Sequence, residues 1–171
     1  MHTYNLYLAG SIRIWKEQFV PKYSESFNKS VGLFEPGTLN VPPDHTQIAP
    51  FVTKKCVDEI RAADAVLSYM KAYTPGDKEG VPGVDSSWEC GFAHGLNKPV
   101  IALIDDVEHF LYFEDQWMLS HNKAAFLTLD PEVKRVALES SHYEDLTIIL
   151  VENVQAIEVE VIDFLNKVKS A

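Results

Sequence analysis

Cysteine is scarce in this sequence: Cys56 and Cys90 are the only two, at no metal or redox spacing. That excludes a disulfide scaffold and leads us to expect a reducing compartment, the cytoplasm. Basic residues are outnumbered, 15 Lys and Arg against 25 Asp and Glu, for a formal net charge of −10. A nucleic-acid or anionic-membrane surface needs a basic face, so neither is an expected partner. A small anion can still be held by a local pocket. No apolar run approaches the ~20 residues of a membrane span. The polar Met1-His2-Thr3 leads straight into a strand pattern, so no signal peptide is expected. His2, His45, His94, His109, His121 and His142 are scattered and form no zinc pattern, and no metal is expected. A Walker loop, a serine nucleophile elbow, internal repeats and interdomain linkers are also missing.

What remains is 171 residues, 46% hydrophobic, enough for one domain spanning 1–171 with a sizeable core. Strand patterns fall at Tyr4 to Ala9, Val31 to Phe34, Ala65 to Met70, Val100 to Ile104 and Ala124 to Leu129, with Leu146 to Val151 a candidate sixth. Helical periodicity covers Trp15 to Lys29, where Phe19, Tyr23 and Phe27 share a face, and Phe51 to Ala63, with Val52, Cys56, Ile60 and Ala63 inward. Pro131 to Glu139 is a short helix opening with proline, and Asn153 caps a final helix to Lys169. The prolines of Glu35 to Pro50 predict a loop. Lys71 to Pro82 reads as a mobile loop beside a pocket, and the aromatics of Val107 to Trp117 as a pocket cover or subunit interface. Strands alternating with helices predict an α/β fold, a doubly wound flavodoxin/Rossmann-like parallel sheet of about five strands with flanking helices.

The stretch that organises the chain is Pro82 to Gly95, between the third and fourth strands. It reads as a glycine-bearing loop and a short helix with Glu89 in the first turn, at the carboxyl end of the sheet where open α/β folds place their ligand crevice. A helix N-terminus favours an ionised carboxylate, which suits a nucleophile or base; a favourable first-turn acid explains the same residue. Asp85, Ser86 and Ser87 compete for the N-cap, and Asp85 can hold a substrate hydroxyl beside Glu89. Trp88 can stack on a planar ring or pack in the core, and the core is the default. Gly10-Ser11-Ile12-Arg13, after the first strand, offers free N–H groups, a hydroxyl and a charged fork suited to a phosphate, or makes an ordinary tight turn. Asp64 can line the crevice, although an aspartate there also ends a helix or binds backbone. Tyr7 is a core position whose hydroxyl needs a partner if buried.

Three of these segments together resemble the nucleoside 2-deoxyribosyltransferase family. They are Tyr7-Leu8-Ala9-Gly10-Ser11-Ile12-Arg13, especially similar to the 2′-deoxynucleoside 5′-phosphate N-hydrolase branch; Ile60-Arg61-Ala62-Ala63-Asp64-Ala65-Val66; and Asp85 to Ala93 followed by Lys98-Pro99-Val100. The likeness covers about the first two thirds of the chain, and the tail beyond Ala124 exceeds what it needs. The resemblance implies that Glu89 attacks the anomeric carbon of a nucleoside, that Tyr7 holds this nucleophile, and that Ser11 and Arg13 contact a 5′-phosphate. A glycosyl-enzyme ester then forms and is resolved with retention. It implies no cofactor and a homodimer or higher homo-oligomer. Two positions depart from the pattern. Cys56 stands where the family places an acid or amide to meet the leaving base, and Gly83 where it places a hydroxyl-binding residue, for which Asp85 can substitute. The expected function is therefore cleavage or transfer at the N-glycosidic bond of a nucleoside or nucleoside 5′-monophosphate. The alternatives are a non-catalytic nucleotide-binding or sensory module using the same pocket, or a bare structural scaffold.

Overall fold

The computed structural model describes residues 3–10, 15–27, 31–34, 48–69, 84–105, 107, 123–140 and 147–171. The predicted loop over Lys71 to Pro82 and nearly all of the aromatic stretch after Asp105 lie outside these residues.

Six strands form one sheet: β1 (Tyr4–Ala9), β2 (Val31–Phe34), β3 (Ala65–Tyr69), β4 (Val100–Leu103), β5 (Ala124–Thr128) and β6 (Thr147–Leu150). Their order is β2-β1-β3-β4-β5-β6, and every neighbouring pair is parallel. The candidate sixth strand is thus real and sits at the edge. β1, β3, β4 and β5 are short, apolar and buried because helices cover both faces, which is why they read as continuous hydrophobic runs. The order reverses between β1 and β3, so the crevice of this sheet opens at the carboxyl ends of those two strands.

One face carries α2 (Ile48–Ala62), α3 (Val84–Gly95) and α4 (Pro131–Ser140), packed through Ile60, Cys90, Ala93, Val133 and Ala137 on Tyr7, Val66, Val100 and Phe126. The other face carries α1 (15–27) and α5 (Ile157–Ser170), where Phe19, Tyr23, Phe27, Val161 and Leu165 close on Leu6, Leu8, Leu67 and Leu103. Among the described residues no helix is long and apolar enough to cross a membrane.

Two helices depart from their predicted form at a proline. α2 begins at Ile48, inside the predicted loop, because Pro50 falls in the first turn, where its missing N–H is not needed. α1 keeps Phe19, Tyr23 and Phe27 buried on one side, but as a π turn (Trp15–Phe19), an α turn (Val20–Tyr23) and a 3₁₀ turn (Ser24–Phe27). Pro21 supplies no N–H to the ladder in its middle, so a regular α-helix is not maintained.

α3 ends cleanly. Asn97 takes a left-handed conformation (φ 59°), Lys98 N–H reaches Ala93 O at 3.0 Å, and Asn97 N–H reaches His94 O at 2.8 Å, a Schellman closure. Lys98 Nζ then donates to Ala63 O, tying the end of α3 to the segment entering β3. Asn153 caps as predicted, its Oδ1 accepting the Ala156 N–H at 3.1 Å in a 3₁₀ turn (Val154–Ala156) that leads into α5. From α5, buried Glu158 accepts the Val31 N–H at 2.8 Å at the start of edge strand β2, and Asn166 accepts the Tyr4 hydroxyl at 2.6 Å.

Candidate active site

α3 lies under the carboxyl ends of β1, β3 and β4, and its sequence sets which side chains turn inward. Ser86, Glu89, Cys90 and Ala93 fall at helical spacing and are all buried, so a carboxylate rides on the stripe that faces the sheet. Glu89 is only 8% exposed. A buried carboxylate requires a donor, and β1 provides it: Tyr7, 2% exposed, points its hydroxyl from the same face of the sheet and donates to Glu89 Oε1. Cys56 completes the group from α2. It is half-buried and packs against the cluster that holds Tyr7.

The electrostatics follow from this packing. Burial, and then the Glu89 charge, drive the Tyr7 phenol far above its ordinary range, with hydrogen bonds to Cys56 and Glu89 adding to the rise. Tyr7 is thus a fixed neutral donor. Burial also raises the Cys56 thiol; the Tyr7 hydroxyl pulls it back, while the Glu89 charge and hydrogen bond and the Glu59 charge push it up. Cys90, on the neighbouring inward position, is pushed up to about 12 by burial, with Glu89 adding to it. Ser68, fully buried on β3, has a hydroxyl with no hydrogen-bond partner among the described residues. Ser68 nonetheless moderates the rise at Cys90. Ser68 lies in register with Ala9 of β1 and Ala102 of β4, so small side chains line the sheet above Tyr7 on the Glu89 face.

A second cluster sits at the same rim on the other face. Asp105, just beyond β4, accepts hydrogen bonds from the Tyr23 hydroxyl and, at 2.6 Å, from the Tyr69 hydroxyl, while Lys22 Nζ stands 3.1 Å away. Only 6% of the Asp105 side chain is exposed. Sequence inspection passes over it, since a lone Asp after a strand carries no motif; the tyrosines at helical and strand spacing were the available signal.

Against this geometry the predicted residues divide. Glu89 and Tyr7 meet. Glu89 is the sixth residue of α3, in its second turn and not its first, because the helix already begins at Val84. The support expected from the helix N-terminus is correspondingly weaker, since that effect fades within the first turn. For the same reason Asp85, Ser86 and Ser87 lie inside the first turn, and none is the N-cap. Asp85 is the second residue of the helix; its side chain lies outside what the structure describes. Ser87 is half-buried on the turn before Glu89. Trp88 is not a core residue: 45% exposed, it stacks on Phe92 with ring centroids 5.3 Å apart, and Arg61 covers the far ring at 5.8 Å. Gly10 follows β1 at the crevice, and a Cβ there would sit 3.9 Å from Tyr69 O, so the turn runs close to the end of β3. Ser11, Ile12 and Arg13 lie outside the described residues. Asp64 is at the opposite, amino-terminal edge of the sheet. Its Oδ2 accepts the Asn5 N–H at 2.9 Å, its N–H reaches Asn5 O at 2.7 Å, and Lys169 approaches to 3.7 Å. It binds backbone between β1 and β3 and is not brought to Glu89.

Comparison with known proteins gives a family. A 2-deoxyribosyltransferase from the psychrotolerant bacterium Bacillus psychrosaccharolyticus aligns structurally with a TM-score of 0.42 at 17% identity, over 86% of this chain and 98% of that one. A conserved protein from Enterococcus faecalis V583 gives 0.44 at 16% identity, over 98% of both chains. No curated protein matches the sequence. The family model described as nucleoside 2-deoxyribosyltransferase matches residues 6–156. The match runs through β5, α4 and β6, so the part beyond Ala124 is mostly within the family pattern and only α5 lies past it. The chain belongs to the nucleoside 2-deoxyribosyltransferase family.

Proposed function

We propose that this protein cleaves or transfers at the N-glycosidic bond of a nucleoside or nucleoside 5′-monophosphate, with Glu89 as nucleophile. The observation that carries the reading is the Tyr7–Glu89 hydrogen bond, a buried carboxylate with its donor under the crevice between β1 and β3. A Glu89 oxygen forms a bond to the anomeric carbon as the bond to the base nitrogen breaks, and the electron pair leaves with the base. Water or a second base then displaces Glu89 from the same sugar carbon, with net retention. Tyr7 keeps the unused lone pairs of the carboxylate bonded, which aims the attacking oxygen. In this reading Asp85 and Ser87 approach sugar hydroxyls, and Gly10 with Ser11, Ile12 and Arg13 receives a 5′-phosphate; membership of the family and the anion-binding chemistry of that turn support it. Two identical subunits or more would complete such a site.

The test is base release. Incubation with a panel of nucleosides and 5′-monophosphates should liberate free base, and Glu89→Gln should reduce the rate by at least about 10³-fold, the scale of losing a covalent nucleophile. A Glu89→Gln protein as fast as the parent would sink the assignment. Preference for 5′-monophosphates, abolished by Arg13→Ala, would place the phosphate at the first turn.

A further inference from the structure

α2 carries on its solvent side a groove of about 430 Å³, lined among the described residues by Phe51, Lys54, Lys55, Asp58, Glu59 and Ala62. These six share one stripe of the helix, apart from the inward stripe of Cys56 and Ile60. The groove is open, with 78% of the Lys54 side chain and 52% of the Asp58 side chain exposed. Its residues match from either end. Phe51 mirrors Ala62, Lys54 mirrors Glu59 and Lys55 mirrors Asp58, each pair centred between Cys56 and Val57. A two-fold axis through that midpoint sets an antiparallel copy of α2 so that each lysine meets an acid and each Phe51 ring meets an alanine. We propose that this stripe is a self-association surface, on which α2 of a second copy of this chain packs antiparallel.

The inference stands on the helix and not on the N-glycosidic reading. Within one copy, Lys54 Nζ lies 2.5 Å from Asp58 Oδ2 and Lys55 Nζ 3.6 Å from Glu59 Oε1. Pairs of this kind also dress helices that face only water. Here both lysines precede their acids, which is the weaker orientation within a helix. Between antiparallel copies the same order is favourable, since the basic half of each stripe lies along the acidic half of the other. An ammonium has three donors, so a lysine can meet the facing acid of its mate without giving up its own. A parallel pair would set lysine against lysine, so the charges also select direction. One contact between 15-residue helices buries less than the roughly 800 Å² per partner of a standard interface, and exposed ion pairs are screened by salt. The expected dimer is therefore weak, concentration-dependent and salt-sensitive. Cys56 on the inward side of α2 packs against the cluster that holds Tyr7, so the surface backs onto the wall of the candidate site.

Sedimentation equilibrium on the whole chain tests this. The parent should pass from monomer to dimer as its concentration rises, and added sodium chloride should weaken the dimer. Lys54→Glu with Lys55→Glu makes the four charges of the stripe all acidic; Asp58→Lys with Glu59→Lys makes them all basic. Each double variant alone should raise the dissociation constant at least about tenfold, because like charges then face each other. An equimolar mixture of the two should associate again, since every facing pair is then of opposite charge. A parent that is monomeric at every concentration, a dimer that neither variant weakens, or a mixture that stays apart would overturn the proposal. A second measurement needs no substitution. Zero-length carbodiimide cross-linking of mixed isotopically light and heavy parent chains should join Lys54 to Glu59 and Lys55 to Asp58 in light–heavy peptide pairs. Cross-links at these residues confined to chains of one isotope would count against the surface just as firmly.

Discussion

The Tyr7 hydroxyl donates to the Glu89 carboxylate across 82 residues of sequence, joining the middle of β1 to the second turn of α3. Both groups are buried, so neither has solvent as a substitute partner, and each fixes the other's rotamer.

Removing that donor should be costly for rate. Tyr7→Phe keeps the ring in the core and deletes only the hydroxyl, a hydrogen bond to a charged group worth about 1.5–3 kcal/mol. We expect base release to fall about 10- to 100-fold, with the far-ultraviolet circular dichroism spectrum unchanged. Kinetics indistinguishable from the parent would show that Glu89 is aimed by something else.

Ser68 gives the opposite expectation for stability. Its hydroxyl is fully buried with no partner among the described residues, and such a group costs about 1–3 kcal/mol. Ser68→Ala should leave the midpoint of urea denaturation unchanged or raise it. A large drop would mean that a ligand-free hydroxyl has a partner beyond the described residues.

The rim cluster around Asp105 should be brittle. Asp105→Ala leaves the Tyr23 and Tyr69 hydroxyls without their acceptor and Lys22 without its counter-charge, and breaking a buried group of this kind costs about 3 kcal/mol or more. Thermal unfolding of that variant should begin well below the parent. The double variant Tyr23→Phe, Tyr69→Phe in the Asp105→Ala background should recover part of the loss, because the two hydroxyls that lost Asp105 are then gone.

Alkaline pH should unfold the protein. Burial raises the Cys90 thiol from 9.0 to about 12 and raises Cys56, Tyr7 and Tyr23 as well. Each folded-state value lies above the unfolded one, so each contributes stability that is whole below the unfolded pKa. Above pH 9 the unfolded chain sheds protons that the native state keeps, and Cys90 alone lowers stability with every pH unit until about pH 12. Tyr7 and Tyr23 join from about pH 10 upward. Denaturation midpoints measured from pH 8 to 11 should fall, and Cys90→Ala should flatten the first part of the slope.

Much of this arrangement is legible in the linear sequence, for identifiable reasons. β4 is apolar throughout, and β1 and β3 are apolar but for Asn5 and Ser68, a pattern that a sheet covered on both sides tolerates, and α5 shows a clean stripe at Val161, Phe164 and Leu165. Tyr7 and Glu89 are legible as a pair because the family resemblance couples them; neither spacing nor propensity does. What escapes notice depends on where chain directions cross. Asp85, Ser86 and Ser87 look like a cap, but α3 already begins at Val84, so the polar cluster is inside its first turn. Asp64 looks like a crevice residue until the parallel register places it at the amino-terminal edge with Asn5. Trp88 looks like core until the inward stripe is assigned to Glu89 and Cys90, which turns it outward onto Phe92. The role of Asp105 is set by tyrosines from α1 and β3, and no local pattern announces it.

The bond from Glu158 to the Val31 amide has a consequence for how the chain is made. An outer strand synthesised early is completed by a carboxylate that leaves the ribosome 127 residues later. Until then that flank of the sheet is open to pairing with another nascent chain, so shortening the carboxyl terminus should expose the protein to self-association during synthesis before it costs anything at the site.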